Sequence, residues 1–491
     1  MITNIKINGF KSFQNFEMEF APFTVIAGAN ASGKSNLFDA LMLLARLAET
    51  DNLKKAFKEQ RGEFIELFTQ YTETEYATEM QFCVEMLINK EVKDAWGNEA
   101  KLKYTRLKYQ LHIKRFTNSL GIEDLSVVYE YLENFKHNED RWINNIPKKL
   151  LKNWLPKVGT GKRGIPYMRT VEDKGIMIVE VPQDGTIGNK RVFRFPLNNN
   201  ATRTVLSSFD IADFPHVLAA KEEMKSWKFL QLNPEDLRQP TSKEDGTDTI
   251  SQSGKNLAAV LYRIKQEDEY NLIEISRNLQ RFLPHFIEVI VVDDKENKQY
   301  IIKLKDNDKK EYSSRVLSEG TLRILALCIL EYDSQHTGLL CFEEPENGIH
   351  PDHIKDMVEL LRNLSVDFTD IQMPLRQVIV NTHSPIFVGK IIDYIINDNN
   401  AKNISVNLSR MTKLVTTINN KRIGISQTKM ESPFLGYEEK GYGGMFTQIE
   451  QENMRKQAIY NIKKYLAASS FDIEDKLKKI EENTTKHQKN R

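Results

Sequence analysis

One stretch near the N-terminus limits the possible folds of this chain more than any other. Gly28-Ala29-Asn30-Ala31-Ser32-Gly33-Lys34-Ser35 is a complete G-x-x-x-x-G-K-S. It follows the apolar run Phe23–Ala27 and precedes a helical pattern at Leu37, Leu41 and Leu44. A strand, loop and helix in that order surround a di- or triphosphate with backbone N–H groups and the positive end of a helix. Lys34 is then expected to reach the terminal phosphates and the Ser35 hydroxyl to ligate Mg²⁺.

A second stretch, Leu317–Pro351, reads LSEGTLRILALCILEYDSQHTGLLCFEEPENGIHP. Ser318 is a good N-cap, and the run Leu322, Ile324, Leu325, Leu327, Ile329, Leu330 is too dense for a half-exposed helix, so a largely buried helix is expected. After a turn at His336-Thr337-Gly338, Leu339–Phe342 reads as a strand covered on both faces. That strand delivers Glu343 and Glu344 to its C-terminal end, the rim where open α/β sheets bind ligands. Two adjacent acids there need a cation or a water to hold.

Five ordered motifs carry a resemblance: GFKSF (Gly9–Phe13), GANASGKSN (Gly28–Asn36), LSEGTLR, CFEEPENGIHP and VIVNTHSP (Val378–Pro385). The chain resembles an ABC-type ATPase, more narrowly the RecF/SMC/OLD-like ATPases of bacteria. The resemblance implies an α/β P-loop NTPase, an ABC-type ATPase head with a mixed β-sheet lobe, a globular insertion and a small C-terminal helical extension. It further implies ATP and Mg²⁺ as ligands. Nucleotide would be bound by Gly28, Asn30, Ser32, Gly33, Lys34, Ser35 and Asn36, with Ser318 and Gly320 supplied by the signature helix. Ser35 and Glu343 would face the metal, with Glu343 where Asp is more usual. Glu344 would be the general base, while Asn30 and His383 would sense the γ-phosphate. In this family the signature of one subunit closes on nucleotide held by the other, which implies a homodimer or higher homo-oligomer of heads.

Composition narrows the class. The chain has 491 residues, enough for two or three lobes, and Lys+Arg 69 nearly cancels Asp+Glu 68. No global positive field announces nucleic acid, so DNA remains a possible partner only through a local surface. Cys83, Cys328 and Cys341 sit in apolar runs without C-x-x-C spacing and read as core thiols of a reduced, cytoplasmic protein. No apolar stretch is long enough to span a membrane.

Along the chain, four regions are expected. Residues 1–133 form the first ATPase lobe, with strands at Ile5–Ile7, Phe16–Phe20 and Phe23–Ala27. Tyr76–Asn89 and Leu102–Arg115 read as antiparallel strands around a turn at Trp96-Gly97-Asn98. Arg61 lies where related proteins place an arginine near nucleotide; an ordinary exposed arginine is at least as good a reading. Residues 134–245 read as an insertion. Its basic segment Ile146–Leu155, flanked by Trp142 and Trp154, is either a packed helix, the preferred reading, or a nucleic-acid patch. The loop Gly159–Gly164 lacks a leading strand and is no second P-loop. No sustained heptads fill the interval, so a long coiled coil is excluded.

Residues 246–405 form the second lobe, with helices at Asn256–Ile264 and Leu272–Phe282 and a charged hairpin over Phe286–Lys305. The Asp293…Lys303 pairing belongs to that hairpin rather than to a nuclease site. Residues 406–491 read as a hairpin turned at Asn419-Asn420, a link Gly441–Gly444, a polar helix near Gln448–Leu466 and a charged, partner-facing tail Asp472–Arg491. No Toprim-type D-x-D follows Ile386, so intrinsic nuclease activity is not expected. Two functions stay open. One is the ATPase subunit of an anti-phage system similar to Septu or PARIS, gating a separately encoded nuclease or effector. The other is a DNA-repair ATPase of the RecF kind.

Overall fold

The computed structural model describes residues 1–136, 139–157, 165–184, 191–197, 201–246, 249–397, 403–418, 421–432, 457, 460–462 and 464–467. The loop at Gly159–Gly164, the turn Asn419-Asn420, the link Gly441–Gly444, the tail Asp472–Arg491 and most of the helix near Gln448–Leu466 lie outside them.

The molecule is organised on a six-stranded sheet. Its order is Lys228–Leu230, Gly338–Glu343, Arg376–Thr382, Phe23–Ala27, Ile404–Ile418 and Lys421–Glu431. The first five strands run parallel and the last turns back antiparallel. Phe23–Ala27 and Arg376–Thr382 are buried throughout, as strands covered on both faces must be. Alternate side chains divide between two cores. Ile26, Leu339, Cys341 and Ile379 point to one core with the helix Lys34–Glu49, while Val25, Leu340, Phe342 and Val380 point to the other with the helix Glu319–Glu331. That second helix buries nearly every residue from Thr321 to Leu330, as its apolar density predicts.

The register brings the strand ends to one rim. Ala27 is level with Thr382 on one side and with Leu408 on the other, and Glu343 is level with Asn381. Beyond the helix Lys34–Glu49 lies a five-stranded antiparallel sheet in the order Phe16–Glu19, Ile2–Asn8, Glu79–Leu87, Arg106–Thr117, Glu123–Asn134. The sequence reading misses its last strand. It also misses the small hairpin Glu91–Lys93/Glu99–Lys101 that flanks the expected turn at Trp96.

In the insertion, Trp142 and Trp154 are buried against the two sides of Phe368. Their indole N–H groups donate to the carbonyls of Phe20 (2.8 Å) and Phe368 (3.2 Å). Neither ring is available for base stacking, so packing decides between the two readings of this segment. It folds as short turns, Lys148–Leu150 and Leu151–Trp154, rather than a continuous helix. The hairpin Phe286–Asp294/Gln299–Asp306 forms with register Ile290↔Lys303. Its charges are used in separate pairs, Asp293 with Lys243 and Lys303 with Glu311 at 2.9 Å.

Two observations concern the C-terminal region. Ile404–Ile418 is a parallel partner of Phe23–Ala27, so a division at residue 405 falls inside a strand of the central sheet. In the described part of the terminal helix, Ile462 and Leu466 pack into the core beside Phe387 and Val388 rather than standing free. Among the described residues all three cysteines are free thiols; Cys328 and Cys341 are buried, whereas Cys83 is only half-buried. No helix among them is long and apolar enough to cross a membrane.

Candidate functional site

Phe23–Ala27 ends at the rim, and the chain turns through Gly28–Gly33 into the helix Lys34–Glu49. Gly33 takes φ 89°, and a Cβ there would come within 1.8 Å of the Thr428 hydroxyl, so the turn requires glycine on two counts. The Lys34 ammonium folds back to donate to the carbonyls of Gly28 (2.8 Å) and Ala29 (2.9 Å). Burial lowers its pKa below the usual lysine range, against the opposing pull of Glu344, Glu343 and Glu346.

Two strands away, Gly338–Glu343 delivers the acid pair. Glu344 leaves the strand at φ 48°, an uncommon conformation for a residue with a side chain, and its N–H donates to the Asn381 carbonyl at 2.8 Å. Its carboxylate accepts from Asn347 Nδ2 at 2.8 Å and lies 2.6 Å from His383 Nδ1. Burial pushes this carboxyl up, but the Asn347 and His383 hydrogen bonds and the charges of His383 and Lys34 outweigh it and leave the pKa below the ordinary glutamate value. Glu346, by contrast, is raised by burial despite its hydrogen bond from Thr382. Asn381 reaches toward Ser35, with Nδ2 at 3.4 Å from the serine oxygen.

Lys34, Ser35, Glu344, Asn347 and Asn381 face one cleft of about 470 Å³, a size in the usual range for small-ligand sites. Asn30, Ser32, Gly33, Lys34, Ser35, Asn36, Glu343 and Glu344 all line it. The lining suits a triphosphate. Ser32 Oγ and Asn381 Oδ1 are buried with no hydrogen-bond partner among the described residues, and the loop carbonyls hold the lysine until a stronger anion is offered.

Four expected residues do not line the cleft; the first, Gly28, opens the loop, and its carbonyl accepts from Lys34. His383 borders the acid pair through its contact with Glu344 and is nearly half exposed. Ser318 caps the helix Glu319–Glu331, its hydroxyl accepting from Thr321 N at 3.2 Å, and is exposed. Gly320 packs on the carbonyl of Gly348 in the loop after the acids, where a Cβ would come within 2.3 Å. Neither Ser318 nor Gly320 lines the cleft of its own chain. Arg61 is tied to Asp39 at 2.8 and 3.1 Å, beside the Lys11–Asp39 pair at 2.7 Å, one turn along the helix from Ser35.

The cleft also contains residues that sequence reading does not single out. Gln231 immediately follows the edge strand Lys228–Leu230 and enters the cleft beside the acids, with Asn347 and Asn381. Its signal in sequence is its place just after the short run Lys228-Phe229-Leu230, in a stretch from Trp227 to Pro234 that resembles the same ATPases. Arg323 lines the cleft from the helix Glu319–Glu331, its Nη2 paired with Glu319 at 2.8 Å and its Nε buried without a partner among the described residues.

A phosphate loop on a buried parallel strand, facing two acids at the end of a neighbouring strand, defines a P-loop ATPase. The AAA ATPase domain family matches residues 1–388, and the chain belongs to it. Among curated proteins, none matches the chain. Among the solved structures similar to it are three SMC heads. An SMC head bound to the C-winged helix domain of ScpA is 13% identical, with TM-score 0.45, covering 88% of this chain and 97% of that one. The SMC head domain from Thermotoga maritima is 12% identical, with TM-score 0.37 and coverage of 87% and 98%. An SMC head with an extended coiled coil, bound to the C-terminal domain of ScpA and derived from Pyrococcus furiosus, is 13% identical, with TM-score 0.39 and coverage of 88% and 96%.

Proposed function

We propose that this ATPase works as a pair of heads, each chain completing the other's nucleotide site, and that the cycle of closing and opening gates a separately encoded nuclease or effector in bacterial anti-phage defence. The observation that carries the site assignment is the placement of Glu344. A strained strand end holds its carboxylate between Asn347 and His383, across the cleft from Lys34. An ionised carboxylate there can orient water and accept its proton as the terminal phosphoryl departs.

Lys34 neutralises the β- and γ-phosphates, and the N–H groups at the start of its helix supply further donors. Mg²⁺, when bound, would neutralise charge on the phosphates beside Ser35 and Glu343. Among the described residues no group of three His, Cys, Asp or Glu side chains could hold a metal, which fits an ion held chiefly by substrate oxygens and water. In this reading Asn30, from the cleft lining, and His383, through its contact with Glu344, respond to the γ-phosphate. Ser318 and Gly320 do not line their own cleft and stand at a helix N-terminus, which supports a role toward nucleotide on a second chain. The defence role rests on the motif resemblance and on the lack of a Toprim-type D-x-D in the sequence after Ile386.

The test is native mass of the chain purified with the products of its neighbouring genes, with and without ATP. An ATP-dependent pair of heads carrying a nuclease or effector is the expected result. A lone monomer that instead binds duplex DNA with steep salt dependence would support the repair reading in its place.

A further inference from the structure

The family match ends at residue 388, yet the strand beside the phosphate loop comes later in the chain. Ile404–Ile418 pairs with Phe23–Ala27 only as far as Leu408↔Ala27; beyond that it continues past the rim as a two-stranded ribbon with Lys421–Glu431. Ser409 Oγ donates to the Ser32 carbonyl at 2.8 Å, so the ribbon is fastened to the loop itself. Met411, two residues further, lines the same cleft as Lys34 and is 42% exposed.

Strand order gives the cleft a direction. Asn381, Glu343, Glu344 and Gln231 stand on one flank of Phe23–Ala27, where the metal and the terminal phosphate belong. The ribbon stands on the opposite flank. A triphosphate lying along the loop with its γ-end at the acids therefore carries its nucleoside toward the ribbon. There the Met411 side chain is fixed by a continuous relay. Asn36 Nδ2 donates to Ser12 Oγ at 2.7 Å, the Ser12 and Thr428 hydroxyls lie 2.6 Å apart, and Thr428 Oγ1 donates to Met411 Sδ at 3.5 Å. A donor direction that runs through all three links holds the thioether of an apolar side chain that stays partly exposed. Thioethers pack well against aromatic rings.

We infer that the ribbon of Ile404–Ile418 and Lys421–Glu431 forms the nucleoside-facing wall of the ATP site, with Met411 the apolar contact for the base. The inference rests on the P-loop assignment, so the experiment separates the two. Binding of ATP and of inorganic tripolyphosphate, which has no nucleoside, is measured by calorimetry on the full chain. Met411→Ala is expected to weaken ATP about 2- to 10-fold, the range of a thioether–ring contact, with tripolyphosphate unchanged. Met411→Leu, which keeps bulk and apolarity, is expected to retain most of the ATP affinity. Equal loss for both ligands would show that Met411 merely holds the loop, and no loss for either would remove it from the site; both results overturn the inference. Failure of the unmodified chain to bind either ligand would overturn the phosphate-loop reading itself.

Discussion

His383 Nδ1 and Glu344 Oε1 lie 2.6 Å apart, although 39 residues separate them in sequence. Each sits just past the C-terminal end of its strand, and the pairing of Glu343 with Asn381 brings those ends side by side. The histidine thus helps hold the carboxylate ionised and aimed at the cleft. Glu344→Gln keeps the shape but cannot accept a proton, so ATP should still bind while turnover falls about 100- to 10,000-fold. Normal turnover in a single-turnover assay would remove Glu344 from the chemistry.

The same environment predicts a pH profile. Glu344 sits below the ordinary carboxylate range, so the base form persists as pH falls through that range. The acidic limb of kcat/KM, which reports the free enzyme, should lie below the usual glutamate value. In His383→Ala that limb should move toward higher pH, because a hydrogen bond and a charge that favour the carboxylate are gone. An unmoved limb would mean that the pair is not the titrating group.

Much of this site is visible in sequence because local rules dictate it. A phosphate loop needs glycine where Gly33 bends and packs on Thr428, and a strand buried on both faces announces itself in Leu339–Phe342. Gln231 is hidden because its strand has three residues and forms only as the parallel edge partner of Gly338–Glu343. The hairpin over 406–428 is legible as alternation, but its place beside Phe23–Ala27 is fixed by pairing across almost 400 residues. Trp142 and Trp154 leave two readings open in sequence for a related reason. Amino-acid order shows their basic neighbours, while Phe368, which buries them, comes more than 200 residues later.

Lys34→Ala removes the cation that bridges the loop carbonyls and faces three acids. Charge-assisted hydrogen bonds to phosphate are among the stronger ones, so affinity for ATP and for tripolyphosphate should fall together, by about 100-fold or more. Loss for ATP alone would be at odds with a phosphate role.

Away from the cleft, Glu130 is fully buried in the antiparallel sheet. It accepts from Val205 N (2.6 Å), Leu206 N (2.8 Å) and Tyr109 Oη (2.8 Å). Burial pushes its pKa up to about 7, and those three hydrogen bonds only partly offset the rise. A raised folded-state pKa means that the native state holds the proton more tightly than the unfolded chain. Its contribution is therefore full below the ordinary glutamate value and is lost as pH rises through about 7, on the order of 3 kcal/mol. Glu130→Gln should flatten the dependence of Tm on pH between about 4.5 and 7. An unchanged slope in this variant would place the titration elsewhere.

The last prediction concerns whether the site is shared between chains. Ser318 starts a helix whose N-terminal amides could serve a phosphate, yet it is exposed and does not line its own cleft. Helix N-termini act on anions only at hydrogen-bonding range, so a second chain must bring it to the nucleotide if it acts at all. Ser318→Arg should leave ATP binding by the monomer nearly intact, since that cleft is unaltered. It should block hydrolysis and ATP-driven pairing by placing a long side chain where the γ-phosphate would dock. Mixing Ser318→Arg with Lys34→Ala chains sharpens the test, because one of the two clefts in a mixed pair again has both motifs. Partial recovery of turnover in the mixture is the expected result. Full turnover by Ser318→Arg alone would show that each head hydrolyses ATP without its neighbour's helix.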